Sequence, residues 1–210
     1  MGIAERVSAF NRMRKWECFV SEFPISPSAR TLDVGFTEKE YSSVDNFIER
    51  NYPYPEMLTG LGIDDPVQFS SRYPKVKAIR YDGKIFPFDD RSFDICWSNA
   101  VIEHVGGFDR QVEFLKEIRR VSKSFYITTP NRHFPIEVHT RIPFLHWLPK
   151  PLFDSILPLF NKQWASGDYM HLLTRLDIWK VLKAAGIEHY QVRANRIFGL
   201  TLDFVIISKS

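Results

Sequence analysis

The chain has little cysteine, little excess charge and no long apolar run, and each shortage excludes something. Only two cysteines occur in 210 residues. Cys18 and Cys96 stand far apart in unlike surroundings, so there is no disulfide framework and no metal-ligand spacing. Cys96 lies in an apolar, strand-like run and reads as a buried free thiol. The formal net charge is only +3, and Lys and Arg are scattered rather than grouped in a stripe, which argues against a nucleic-acid partner. No stretch reaches the length of a membrane span. Arg6, Arg12, Arg14 and Lys15 break any apolar run near the N-terminus, so no signal peptide is expected. Arg6 also stands where a myristoylation signal opening Met1-Gly2 would need Ser or Thr. A reducing, cytoplasmic setting is the resulting expectation. Repeats and low-complexity tracts are absent, and so is a phosphate-cradling glycine loop.

What is present is ordinary globular material: 44% hydrophobic and 25% charged residues. The length suits one α/β domain with a full core. We read residues 1–210 as a single domain, with 1–29 as an N-terminal helical extension and 133–172 as a lid or helical insertion. Val7, Phe10, Met13, Phe19 and Val20 have loose helical spacing. Short apolar strands are expected at 30–35, 57–63, 76–81, 93–97, 125–128, 187–192 and 200–207. Between them stand helical patterns: 43–51 opened by Ser43, one with Asp65 as cap and Pro66 in its first turn, 108–121, and 174–185. In 108–121, Val112, Leu115, Ile118 and Val121 share one side. Thr174 and Asp177 form a capping box, and Gly186 stands where a helix end wants a left-handed residue. Strands alternating with helices imply a doubly wound, mostly parallel seven-stranded sheet. The last connection, about 193–199, is too short for a parallel crossover, so the final strand should run antiparallel.

In such a sheet, ligands bind beyond the carboxyl ends of the strands. Those ends deliver Asp33 and Gly35, Asp64, Asp82 and Gly83, Ser98 and Asn99, then Thr129, Pro130 and Asn131. An acid after the second strand can accept from both hydroxyls of a ribose, which suits Asp64. An acid after the third can accept from an exocyclic adenine amine, which suits Asp82. Gly35 lets backbone come close to a ligand. A nucleoside with a cationic sulfur tolerates this acidic lining, whereas a pyrophosphate does not. Asp65 reads as a helix cap, and Asp33, inside its strand end, as a residue that orients the loop.

These residues resemble the class I S-adenosylmethionine-dependent methyltransferases, in particular the type 11 methyltransferase domain. R-T-L-D-V-G (30–35) is similar to the first motif of that family, and L-G-I-D (61–64) to its second strand with the ribose acid. The run from Arg80 to Val105 carries D-G, P-F, S-F-D and E-H-V at the family's spacing, and T-T-P-N-R (128–132) closes the fifth strand. The resemblance spans roughly 30–208. It implies S-adenosylmethionine as cofactor, with contacts from Asp33, Gly35, Phe36, Asp64, Asp82, Gly83 and Asn99. The family's loop reads Asp-x-Gly-x-Gly-x-Gly; here Thr37 and Lys39 replace the second and third glycines. An altered loop path is expected, with Glu38 or Glu40 as candidate partners for the cofactor's ammonium group.

Methyl transfer needs alignment of nucleophile, methyl and leaving sulfur, and an oxygen acceptor of high pKa also needs a base. The catalytic candidates follow strand five: His133, Glu137 and His139, with His104 after strand four as another. Each could equally fill a polar gap. The stretch 134–160 is rich in apolar and aromatic residues and broken by five prolines. A lid over an acceptor pocket explains it, as do contact with a membrane surface or lipid-linked substrate, an inserted subdomain, or an oligomer interface. The expected acceptor is a small molecule or a glycan or lipid-linked group. A catalytically silent module that binds a partner protein is the alternative, motivated by Thr37 and Lys39. The missing glycine fingerprint disfavours an NAD enzyme, and S-N-A-V after strand four disfavours a base-flipping nucleic-acid methyltransferase.

Overall fold

The computed structural model describes residues 3–137 and 139–209, the side chains from Arg6 onward. Met1 and Gly2, on which the myristoylation reading turns, lie outside the described residues. Seven strands form one sheet in the order β3-β2-β1-β4-β5-β7-β6. They are β1 (Thr31–Val34), β2 (Leu58–Gly62), β3 (Lys77–Arg80), β4 (Phe93–Asn99), β5 (Ser122–Pro130), β6 (Gln191–Ile197) and β7 (Leu200–Ser208). β1 pairs parallel with β2 and β4, and β2 with β3, while β7 runs antiparallel to β5 and β6. The expected doubly wound sheet with a reversed last strand is the observed one. The chain divides into two compact units: residues up to Ser98 with Arg120–Tyr126, and Asn99–Arg119 with Ile127–Lys209.

The first unit includes α1 (Ile3–Glu22), which sends one face into the core and leaves Phe10, Met13 and Val20 exposed. Phe19 is fully buried and meets the Trp97 ring edge-on at 5.0 Å, and Trp97 stacks on Tyr126 at 5.1 Å. The Tyr126 hydroxyl donates to the Lys15 carbonyl at 2.9 Å, which satisfies the one polar atom of that buried ring. All four residues of β1 are buried, as a central parallel strand requires. α2 (Phe47–Asn51) starts later than Ser43 suggests. The Asp45 carboxylate takes the N–H groups of Tyr41 and Ser42 and holds the chain in a turn instead, and left-handed Asn46 (φ 46°) then starts the helix. α3 (Val67–Arg72) has Pro66 rather than Asp65 at its cap, and Asp65 accepts from the Val67 N–H at 3.1 Å.

In the second unit α4 (Phe108–Val121) begins, with Val112, Leu115 and Ile118 buried as its spacing predicts. α6 (Arg175–Ala184) carries the expected capping box, with Asp177 N–H donating to Thr174 Oγ1 and Thr174 N–H to Asp177, and Gly186 ends it at φ 71°. β6 starts later than the expected 187–192, because Ile187 closes the helix end through its N–H to the Leu182 carbonyl. It then runs to a two-residue turn at Phe198 (φ 50°) and Gly199 (φ 81°), the left-handed pair a tight hairpin needs. Residues 142–172 hold α5 (Lys150–Ile156) among short 3-10 turns. They enclose a small core of their own, with Leu145, Phe153, Leu157, Ala165 and Met170 buried. Pro149 precedes α5 and Pro158 follows it, which keeps the segment in short pieces. No described helix is long and apolar enough to cross a membrane.

Candidate active site

In the first unit, the parallel register sets the carboxyl ends of β1, β2 and β3 along one edge, so Asp33, Asp64 and Asp82 share a rim. Asp33 is buried beside Glu49 of α2, and desolvation pushes its carboxyl up to about 6, opposed by a hydrogen bond from Glu49 and the charge of Arg12. Glu49 is driven well above the ordinary carboxyl range by burial and then by the Asp33 charge. Neither Glu49 oxygen has a well-formed hydrogen bond. Two carboxyls pressed together away from water disfavour ionising both at once. Asp64 is exposed; its Oδ2 accepts from the Glu38 N–H at 3.2 Å and its Oδ1 is left for a ligand. Asp82 accepts from the Lys84 N–H through Oδ1 at 3.0 Å, which leaves Oδ2. Gly35 (φ 114°) turns the chain at the rim, and Gly83 (φ 79°) leaves ordinary space around it, with the exposed Ile63 nearest at 3.6 Å.

The altered loop has a definite path. Thr37 N–H donates to Asn46 Oδ1 at 2.9 Å, and Asn46 Nδ2 donates back to the Thr37 carbonyl at 2.9 Å. This reciprocal pair does the closing that glycines do elsewhere. Lys39 is exposed. Glu40 is engaged by Arg50 at 2.8 Å, by the Tyr73 hydroxyl and by Asn46, so it serves the loop rather than a ligand's ammonium. Phe36 is 3% exposed, its ring 4.4 Å from Phe69 and packed on the bare faces of Gly60 and Gly62. Its side chain is core, and only its backbone is open to a cofactor. Ser98 is buried with its hydroxyl on the Val34 carbonyl.

In the second unit, Asn99 accepts from the Thr128 hydroxyl at 2.9 Å, and Ala100 takes a left-handed φ of 57° with its N–H on the Thr128 carbonyl. Two residues on, a short turn presents Glu103 and His104. Glu103 is fully buried; its Oε2 accepts from Thr129 Oγ1 at 3.0 Å. His104 Nδ1 lies 2.8 Å from the Tyr169 carbonyl, and its Nε2 lies 3.1 Å from His139 Nε2 and 4.0 Å from Glu103 Oε1. Burial is the main cause that lowers the His139 pKa from its usual value; Glu137 opposes this and His104 adds to it. Glu137 is itself buried, with its oxygens on the N–H groups of His139 at 2.7 Å and Thr140 at 2.6 Å. It positions His139 instead of reaching a substrate. His133 is exposed and held through its own N–H by Asn131. Of the three residues expected to be catalytic, His139 joins a cluster with Glu137 behind it, the Glu137 Oε1 lying 3.9 Å from His139 Nε2, while His133 stands apart. The other companions of His139 are His104, noted beforehand, and Glu103, read until then only as part of the E-H-V motif.

Beside this cluster a cavity of about 210 Å³ is lined by Arg132, His146, Lys150 and His171 together with Phe153 and Met170. The His171 N–H donates to the Glu103 carbonyl at 2.7 Å, so the cavity wall and the cluster share backbone. His146 is buried, its Nε2 on the Phe134 carbonyl and its Nδ1 without a partner among the described residues. Desolvation lowers its pKa, opposed by the carbonyl of Phe134 and the charge of Glu137.

Comparison with known proteins bears on the fold. Residues 49–124 match the model of the methyltransferase domain. None of the curated protein sequences matches the chain. Among solved structures, a possible histamine N-methyltransferase from Thermotoga maritima superposes with a TM-score of 0.61 at 14% identity over 99% of this chain and 91% of its own. An S-adenosylmethionine-dependent methyltransferase from Mesorhizobium loti gives 0.61 at 12% identity, over 93% of this chain and 97% of its own. The N-terminal domain of EvdMO1, solved with S-adenosylhomocysteine bound, gives 0.56 at 18% identity over 95% of this chain and 81% of its own. The fold is that of the class I S-adenosylmethionine-dependent methyltransferases, and the matched methyltransferase-domain segment lies within it. The matched segment is similar to the type 11 methyltransferase domain.

Proposed function

We propose that the protein methylates a hydroxyl of a small-molecule or glycan acceptor, free or lipid-linked, in the cytoplasm. The acid rim carries the reading. Asp64 and Asp82 each keep a carboxylate oxygen for a hydroxyl and an amine, Gly35 and Gly83 keep backbone close, and the Thr37–Asn46 closure keeps the loop in a fixed path. S-adenosylmethionine, when bound, supplies a methyl on a positively charged sulfur, and a rim of acids suits that charge. Asp33 and Gly35 set the start of the loop, and the Phe36 and Asn99 backbones complete the expected contacts.

The second unit supplies the acceptor chemistry. Asn99 is held by Thr128, and His139 is fixed by Glu137 and faces His104, where an acceptor hydroxyl can be bound. Arg132 and Lys150 with Phe153 and Met170 in the adjoining cavity suit an acceptor with an acidic group and an apolar part. Phe144, Trp147, Leu159, Phe160 and Trp164 are exposed on the 133–172 segment, which favours a lid that meets lipid-linked material. Two free cysteines fit a reducing compartment.

Isothermal titration with S-adenosylmethionine and with its demethylated product tests the cofactor half, and transfer of a labelled methyl group to fractionated small molecules and glycolipids tests the acceptor half. Saturable heat with both ligands and label in a non-protein fraction is expected. Absence of heat with either ligand favours the silent binding module instead, for which the Glu38 N–H already seated on Asp64 is the motivating contact.

A further inference from the structure

We propose that Glu103, His104 and His139 form a site for a divalent first-row transition metal that binds the acceptor hydroxyl. Nothing in the spacing of these residues announces it: the first two are adjacent and the third comes 35 positions later. The fold joins them. Glu103 Oε1, His104 Nε2 and His139 Nε2 all lie within 4.8 Å of one another. Atoms bound to one tetrahedral ion at 2.0–2.2 Å lie roughly 3.4 Å apart, so the observed 3.1 and 4.0 Å need only a small adjustment of side chains.

The surroundings are those of a metal site. The Tyr169 carbonyl has no proton to give, so His104 Nδ1 carries one and Nε2 presents its lone pair to the cluster. Thr129 holds Glu103 by Oε2, leaving Oε1 toward the histidines. Glu137 fixes His139 through the backbone N–H, and the Tyr169 ring packs 4.9 Å from His104. Each ligand is therefore held from behind. Three protein ligands leave coordination positions open, the arrangement of a reactive rather than a structural ion. Two imidazoles and a carboxylate suit zinc, cobalt, manganese or ferrous ions better than calcium or magnesium.

The purpose of the ion rests on the methyltransferase reading; its seat does not. A bound cation lowers the pKa of a ligated hydroxyl. The hydroxyl releases its proton to solvent, and its oxygen forms a bond to the methyl carbon. The carbon–sulfur bond breaks with its electron pair on sulfur, leaving a methyl ether and a neutral thioether. No oxidant or reductant is needed. The acceptor class is narrowed to alcohols, with adjacent hydroxyls favoured because the open positions can hold two oxygens.

The test is a titration of Co²⁺ into chelator-treated full-length protein, followed by visible d–d absorption, with S-adenosylmethionine titrated calorimetrically into the same samples. One equivalent of cobalt with histidine-ligated bands is expected. His104→Ala and His139→Ala each should weaken it by more than the roughly 10–100-fold of an outer-shell change, with the cofactor heat intact as proof of folding. Glu103→Gln, which retains the oxygen facing Thr129, provides a milder variant. No cobalt spectrum, or a spectrum indifferent to all three substitutions, overturns the metal site. Cobalt binding without cofactor heat supports the site while it sinks the methyltransferase reading.

Discussion

The two units of the chain solve different problems with different materials. The first unit sets the exposed carboxylates of Asp64 and Asp82 just after parallel strands, each partly held by a neighbouring backbone N–H. The second makes its cluster from buried or half-buried imidazoles and a carboxylate that come from separate segments and rest on backbone carbonyls and a hydroxyl. The difference teaches that a rim can be inherited from sheet topology, whereas a cluster of reactive groups needs loops that are individually pinned. The proposed function therefore assigns cofactor affinity to the first unit and acceptor chemistry to the second, which substitutions in each can separate.

The largest break should come from His139→Ala. Methyl transfer should fall by about 10²–10⁴-fold with the calorimetric affinity for S-adenosylmethionine unchanged; a matching loss of cofactor binding would erase the division of labour. Asp64→Ala should do the reverse, weakening cofactor binding by roughly 10–100-fold, the worth of one or two hydrogen bonds to a charged group. Its turnover at saturating cofactor should stay near wild type. Gly62→Ala should destabilise the protein by about 1–3 kcal/mol in urea unfolding, because the new methyl would stand 2.9 Å from the Phe36 ring, which Phe69 backs. Thr174→Ala removes the capping box of α6 and should cost about 1 kcal/mol, a change confined to the second unit's helix and visible in amide exchange.

The Asp33–Glu49 pair gives a pH test of the first unit alone. An acid whose folded pKa is raised, here Asp33 to about 6, contributes stability at low pH that is lost as pH rises through that value. Glu49→Gln removes one of the two interacting carboxyls. The variant should lose less stability than the wild type between pH 5 and pH 8, the difference being on the order of 1 kcal/mol. An unchanged pH profile in thermal melts would show that the two carboxyls do not disfavour each other's ionisation.

How much of this was legible follows the same divide. The doubly wound parallel sheet and the reversed β7 could be read because the alternation of elements and a short last connection are local signals. Phe36 could not be assigned to the core from sequence, since its place depends on two glycines in β2 that offer a bare surface to the ring. The start of α2 was displaced because the Asp45 carboxylate holds the Tyr41 and Ser42 N–H groups in a turn across Ser43. Glu137 and His139 looked equivalent in the sequence; only the fold shows that one caps a turn and the other faces His104. The companionship of His104 and His139 is a long-range fact with no periodicity behind it.

The aromatic cluster of α1 has one more consequence. Of five tryptophans, Trp97 is buried and Trp16 half-buried in the first unit, while Trp147, Trp164 and Trp179 of the second are between 46% and 47% exposed. The chain thus carries two natural optical reporters. A blue-shifted emission follows the interior of one unit and a solvent-quenchable emission follows the surface of the other, so a single unfolding experiment in the presence of iodide can tell whether the two halves melt together.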